Sequence, residues 1–142
     1  MYKDTQKNIV QLGRNLDAGS VEDEDEFAEL EFMVGSVKDH GKNIEKNDFL
    51  AWDYVRAIHI LGWGYLAEYL AEDEAYDMMK PFAKKLQEQF DSWDEMSENY
   101  LLGRGYWNYE ETDHDMLEED RQKLLKDAGS PWVQIGFKSV KF

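Results

Sequence analysis

The chain of 142 residues carries 31 acidic and 16 basic side chains, and its formal charge of −15 disfavours nucleic acids and anionic membranes as partners, because both are bound through Lys and Arg. This length corresponds to one domain, and without any cysteine the chain cannot form disulfides, thiolate metal sites or cysteine nucleophiles. No apolar run is long enough to span a membrane and the first residues lack an apolar signal core, so the expected location is the cytoplasm.

The N-terminal part of the chain predicts two helices. Apolar residues recur at spacings of three and four here and through most of the sequence, which indicates an all-α fold. The first predicted helix is short and covers residues 4–16. The second follows a break at residues 17–20, is capped by Ser20 or Asp23, and ends at Gly41.

The third predicted helix, from Phe49 to about Leu61, is apolar on most of its circumference. A helix of this kind is usually buried on most sides, so we expect it to be the central helix of the domain. Asn47 or Asp48 is predicted to cap it, and the glycines of Gly62-Trp63-Gly64 are predicted to kink it or end it.

A fourth helix is predicted to begin in the acidic segment Glu72–Glu74 and to run to about Asp91. Pro81 lies inside this pattern. Because proline removes a helical hydrogen bond and clashes with the preceding turn, we expect a kink or a helix boundary near Lys80.

The C-terminal third predicts two more helices and a tail. Ser92, followed three residues later by Glu95, matches the capping box and predicts a fifth helix that ends near residue 107. A sixth is predicted over residues 115–128, where Gly129-Ser130-Pro131 stops it. The tail alternates apolar and polar residues like a strand. The sequence therefore predicts one domain over residues 1–142, with five to seven helices around a central buried helix and a short irregular or β-like tail over residues 130–142.

The region 50–107 also carries a series of sequence motifs. They are Leu50-Ala51-Trp52-Asp53, Arg56-Ala57, Gly62-Trp63-Gly64-Tyr65, Phe90-Asp91-Ser92-Trp93, Tyr100-Leu101-Leu102-Gly103-Arg104 and Tyr106-Trp107, followed later by Ser130-Pro131-Trp132. In this order they resemble the bacterial family catalogued as domain of unknown function 1266, also called YbeR-like. Glu68-Tyr69 stands where that family usually has Gly-Tyr. The resemblance implies an all-helical, cytoplasmic bacterial domain, and it carries no catalytic residues over to this chain.

One group of residues could form a ligand pocket. Asp53 and Arg56 are three residues apart and share a helix face, which we expect to be poorly hydrated. They would form either a structural ion pair or the polar centre of a pocket. Arg and aromatic side chains, which suit a binding site as well as a small core, complete the candidate set: Asp53, Arg56, His59, Trp63, Tyr100, Arg104 and Trp107.

Two stretches are densely acidic, with eight carboxylates in residues 17–31 and seven in residues 110–120. Such a run is either a solvated helix face or a surface for a basic partner. The candidate partner-binding residues are Glu22, Asp23, Glu24, Asp25, Glu26, Glu110, Glu111, Asp113, Asp115, Glu118, Glu119 and Asp120. No metal site is expected around His114, because neighbouring residues at a helix start point apart and no second histidine follows at helical spacing.

The sequence contains no nucleophile elbow and no glycine-rich phosphate loop after a strand, so nothing in it indicates catalysis, and no cofactor is expected. The leading hypothesis is a non-enzymatic protein-binding protein, for example an immunity protein that neutralises a basic toxin domain through its acidic surface. The alternative is a small-molecule-binding or catalytic helical domain with a pocket around Asp53, Arg56 and Arg104.

Overall fold

The regular structure is helical throughout the residues that the computed structural model describes, which are 24–142 except for the side chain of Asp25. The helices are α1 (Glu24–Asn47), α2 (Leu50–Leu66), α3 (Glu72–Gln89), α4 (Trp93–Trp107), α5 (His114–Lys126) and the one-turn α6 (Pro131–Gln134). The predicted all-α fold is confirmed, and residues 24–142 contain six helices. The helix predicted over residues 4–16 lies outside the described residues.

The first described helix is longer than predicted. The expected end at Gly41 is wrong, because α1 continues to Asn47. One glycine costs a helix only about 1 kcal/mol, and the burial of Ile44 and Asn47 beyond it offsets that cost. The helix stops at Asp48, whose φ of 51° lies in the left-handed region and cannot continue a right-handed helix.

The second described helix is not buried on most sides, and this prediction is wrong. Helix α2 packs against α3 and α4, but Ala51 and Trp52 are its only buried residues. Its third side faces solvent and carries Asp53, His59, Ile60 and Trp63, and Arg56 is exposed at the edge of this side next to Trp107 of α4. The glycine pair does not end α2, which runs on to Leu66.

The core lies where α2, α3 and α4 meet. Its buried side chains are Ala51 of α2, Leu86 at the end of α3, Phe90 just after it and Met96 of α4. Of the two outcomes predicted at Pro81, the helix boundary does not occur, since α3 continues to Gln89. Packing of the second half of α3 into the core stabilises the helix beyond the proline.

Helix α4 begins as its cap predicts. Ser92 accepts a hydrogen bond from the backbone N–H of Glu95 at 3.1 Å, which confirms the predicted start of α4. The alternating tail forms no strand within residues 24–142. It lies across α3 and α4 instead, where the Trp132 ring stacks on Trp93 at 5.3 Å and the indole N–H of Trp93 donates to the Ile135 carbonyl at 2.8 Å.

A buried asparagine connects α1, α2 and α4. Asn99 is fully buried, and its Oδ1 accepts a hydrogen bond from the N–H of Ala51 at 3.0 Å. Its amide nitrogen donates to the Asp48 carbonyl at 2.7 Å and to Oδ1 of Asn43 at 3.1 Å. Asn99 therefore caps the start of α2 from a neighbouring helix, because the N-cap residue Phe49 offers no side-chain acceptor.

The link between α2 and α3 is a tight turn. The N–H groups of Tyr69 and Leu70 both donate to the Gly64 carbonyl, at 2.9 and 3.2 Å. This wrapping places Glu68 at a φ of 62°, in the left-handed region that favours glycine.

We therefore expect Glu68→Gly to raise the free energy of unfolding by about 1 kcal/mol, because a side chain is strained in this conformation and glycine is not. Glu45→Gly, a matched change at an exposed position inside α1, should lower it by about 1 kcal/mol. Urea unfolding of both variants measures the two shifts, and a loss of stability in Glu68→Gly would contradict the strain at this turn.

Candidate functional site

Two arginines and two tryptophans come together where α2 packs against α4. The Arg56 guanidinium carbon lies 4.6 Å from the centroid of the Trp107 ring and 5.7 Å from that of Trp52. The Arg104 guanidinium carbon lies 5.4 and 5.5 Å from the same two rings. Trp52 is buried, whereas 52% of Trp107 is exposed. We call these four residues the arginine–tryptophan cluster.

The charges of the cluster are not neutralised by the described part of the chain. Neither Arg56 nor Arg104 forms a hydrogen bond or an ion pair with any side chain in residues 24–142. Arg121 behaves differently: it donates to Ser97 at 2.9 Å and to Glu118 at 2.8 Å, and it also pairs with Asp94. The cluster therefore presents two guanidiniums whose donors have no partner among residues 24–142.

The predicted buried ion pair between Asp53 and Arg56 is wrong. Both side chains are exposed, and they form no ion pair within 4.0 Å. The cause is the packing of α2, which buries Trp52 next to Asp53 and turns Arg56 onto the indole rings. The pair therefore neither anchors the core nor forms the polar centre of an enclosed pocket.

The other predicted pocket residues lie in two different places. Tyr100 joins the cluster, with its ring 5.3 Å from Trp52. Burial raises the pKa of the Tyr100 hydroxyl, against a smaller lowering by the Arg104 guanidinium. His59 and Trp63 continue the exposed face of α2 and stack on each other at 6.3 Å.

A cleft of about 300 Å³ lies beside the cluster, and sequence reasoning did not predict it. Tyr100 and His59 line it together with side chains of α4, α5 and α6. Its apolar lining is Val55, Met96, Leu101, Leu117, Leu124 and Trp132. Only the packing of four helices creates this cleft, so no local motif could have indicated it.

The connection between α2 and α3 carries a second surface, which sequence reasoning also missed. Seven large apolar side chains are exposed there by 43 to 86%: Ile60, Trp63, Tyr65, Leu66, Tyr69, Tyr76 and Met78. Four exposed carboxylates accompany them, and none forms an ion pair with a described residue: Glu68, Glu72, Asp73 and Glu74. We call residues 60–78 the hairpin tip. One signal was available in the sequence, since residues 57–79 contain no Lys or Arg.

The predicted acidic surface is described only in part, and several of its carboxylates make contacts within α5. Glu22, Asp23 and the side chain of Asp25 lie outside the described residues, and the remaining nine candidates are all exposed: Glu24, Glu26, Glu110, Glu111, Asp113, Asp115, Glu118, Glu119 and Asp120. Several have local roles in α5. Asp113 caps the helix, Glu118 pairs with Arg121, and Asp120 pairs with Lys123.

His114 is enclosed by aromatic rings at the start of α5. Its ring lies 4.8 Å from both Phe32 and Tyr109, and its buried Nε2 has no hydrogen-bond partner in the described part of the chain. Burial lowers its pKa below the ordinary 6.5, and the nearby carboxylates Asp115 and Asp113 oppose this shift. Within residues 24–142, no group of three or more potential ligands is placed to hold a metal ion.

The lowered pKa of His114 makes stability depend on pH. Between 6.5 and its lower folded pKa, unfolding takes up a proton, so the contribution of His114 to stability is lost as the pH falls through this window. We expect the stability advantage of the wild type over His114→Phe to shrink from about pH 7.5 to about pH 5. Urea unfolding of both proteins at both pH values measures this stability difference. The carboxylates are the same in the two proteins, so their titration cancels in the comparison. Parallel pH profiles would contradict the burial of Nε2.

No helix within residues 24–142 has both the length and the apolar character needed to cross a membrane. Residues 3–137 match the family described as "Protein of unknown function (DUF1266)", so the chain belongs to this family, as its motifs predict. It is also similar to a curated relative described as "Uncharacterized protein YbeR" from Escherichia coli (strain K12), with 31% identity over 64 residues, or 45% of this chain. The match spans 27% of that relative's length. No solved structure matches the chain.

Proposed function

We propose that this member of the DUF1266 family is a non-enzymatic protein-binding protein, that its docking surface is the hairpin tip, and that its partner presents basic and apolar side chains. One observation supports this most strongly: large apolar side chains are exposed at one end of the α2–α3 pair, together with carboxylates that form no ion pair with residues 24–142. Exposed apolar patches with polar rims are typical of protein interfaces.

The charge of the tip decides which kind of partner we propose. Residues 57–79 contain five carboxylates and no Lys or Arg, so the tip is negatively charged, although the Lys80 ammonium at its edge pairs with Asp77 and lies 5.1 Å from the centroid of the Tyr76 ring. A second copy of the chain would bring the same carboxylates against it, and juxtaposed like charges disfavour an interface. A partner with Lys or Arg around an apolar centre would satisfy both features.

The tip residues have separate roles in this proposal. Trp63, Leu66 and Tyr69 would supply the apolar anchors, since buried aromatic residues contribute most to interface affinity. Glu72 and Glu74 would form the rim and, with the exposed acids of α5, accelerate encounter with a positively charged protein. A basic toxin domain is one such partner, in which case the chain would act as an immunity protein by covering it.

The test compares three full-length proteins immobilised and exposed to an extract of the host cell. They are the wild type, the tip variant Leu66→Ser/Tyr69→Ser, and the control Val133→Ser/Val140→Ser, which changes exposed apolar residues of the tail. We expect one basic protein to be retained by the wild type and the control, to be lost from the tip variant, and to elute as salt rises from about 0.1 to about 0.5 M.

Three results would overturn the proposal. The first is equal retention of every partner by the tip variant. The second is a partner that is acidic or insensitive to salt. The third is self-association of the wild type in sedimentation experiments that Leu66→Ser/Tyr69→Ser abolishes, because it would assign the tip to a second copy of the chain.

A further inference from the structure

We infer that the arginine–tryptophan cluster is a binding site for a small organic anion with a flat apolar body and a carboxylate or phosphate group. This inference goes beyond protein docking, because the cluster lies on the part of α2 that faces α4 and not at the hairpin tip. It does not depend on the proposed partner.

The unpaired arginines are the first reason. The chain has almost twice as many acidic as basic side chains, yet neither Arg56 nor Arg104 pairs with a carboxylate in the described part. Arg121, by contrast, pairs with both Glu118 and Asp94. Two guanidiniums that share the same rings repel each other unless an anion lies between them, and each offers a planar fork that fits carboxylate or phosphate oxygens.

The two indole rings hold the guanidiniums in place and offer a surface on which a ligand can stack. Each guanidinium carbon lies between 4.6 and 5.7 Å from the Trp52 and Trp107 centroids, within the range of cation–π attraction. Trp52 is 8% exposed and contacts the two guanidiniums from the core side, whereas the half-exposed Trp107 ring is accessible to a ligand. A flat apolar body next to the anionic group would cover this ring.

The adjoining cleft indicates the size of the ligand. Tyr100 contacts Trp52 on one side and lines the cleft of about 300 Å³ together with His59. This volume lies at the small end of the range for ligand pockets, which suits a molecule of one or two fused rings. Asp53, one turn before Arg56, is the nearby carboxylate on α2 that would oppose an anion.

Three naphthalene derivatives test the inference on the full chain: 2-naphthoate, 2-naphthyl phosphate and the uncharged 2-naphthamide. Calorimetric titration should show binding of at least one of the two anions, and the stronger one identifies carboxylate or phosphate as the preferred group. Arg56→Gln and Arg104→Gln should each weaken it about tenfold or more, while the control Lys84→Gln leaves the affinity unchanged. Asp53→Asn should strengthen it about two- to fivefold.

Three outcomes would overturn the inference. They are equal affinity for 2-naphthamide and the anions, arginine variants that bind like Lys84→Gln, and no binding of either anion at millimolar concentration. A fall in melting temperature of the arginine variants with unchanged affinity would assign both arginines a structural role alone. Leu66→Ser/Tyr69→Ser should bind the anion normally, so failure at one surface is distinguishable from failure at the other.

Discussion

Gly103→Ala is expected to destabilise the protein by about 2 kcal/mol, although alanine is the better helix former. A Cβ atom at residue 103 would lie 2.4 Å from Cβ of Trp52 and 3.1 Å from Cβ of Phe49. Both neighbouring atoms are attached directly to the backbone, so rotation of a side chain cannot relieve the clash. Helices α2 and α4 would have to separate. This would open the core and displace the Trp52 ring, over which the Arg56 and Arg104 guanidiniums lie.

Gly35→Ala is the matched control within α1. An added Cβ there meets no described residue within 4 Å, so the variant should gain up to about 1 kcal/mol from helix propensity. Urea unfolding of both variants gives the comparison. Stabilisation of the protein by Gly103→Ala would show that α2 and α4 do not approach as closely as described.

Asn99→Leu should lower the free energy of unfolding by about 3 kcal/mol. Leucine keeps the branched shape of asparagine but offers no donor or acceptor, so the change leaves the buried N–H of Ala51 and the part-buried carbonyl of Asp48 without these partners. A buried polar group that loses its hydrogen bond costs about 1 to 3 kcal/mol. The lost hydrogen bonds would first destabilise the junction of α1 and α2, which Asn99 connects to α4.

Asn108→Leu serves as the control, since its side chain bonds to Glu111 at an exposed site. We expect that change to cost less than about 1 kcal/mol, because water replaces the lost partner. Thermal or urea unfolding measures both. Similar small losses for the two variants would mean that Asn99 is hydrated and does not cap α2.

Sequence reasoning succeeded where the determinant of structure is local. Ser92 and Glu95 specify the start of α4 through a hydrogen bond that spans three residues, and the glycine–proline segment after α5 ends that helix close to the predicted place. In each case the residues that decide the geometry are neighbours in the chain.

It failed where the determinant is tertiary. Composition predicts a buried α2 because apolar residues such as Ile60 count as core residues, but their burial depends on which helices cover them. Helices α3 and α4 cover two sides of α2 and leave the third open. For the same reason the spacing of Asp53 and Arg56 predicts a shared face, but not that Arg56 would turn onto Trp107. Arg56, Tyr100, Arg104 and Trp107 were identified by residue type, and their juxtaposition required the structure.

Hydroxyl-radical footprinting of the full chain, alone and saturated with the basic protein retained from the extract, is the most direct measurement of docking at the hairpin tip. We predict that oxidation of Trp63, Leu66 and Tyr69 falls severalfold in the complex, while Val133 and Val140 of the tail remain as reactive as before. Unchanged oxidation at the tip, with protection confined to α5, would contradict the proposed docking surface and would place the partner on α5 instead.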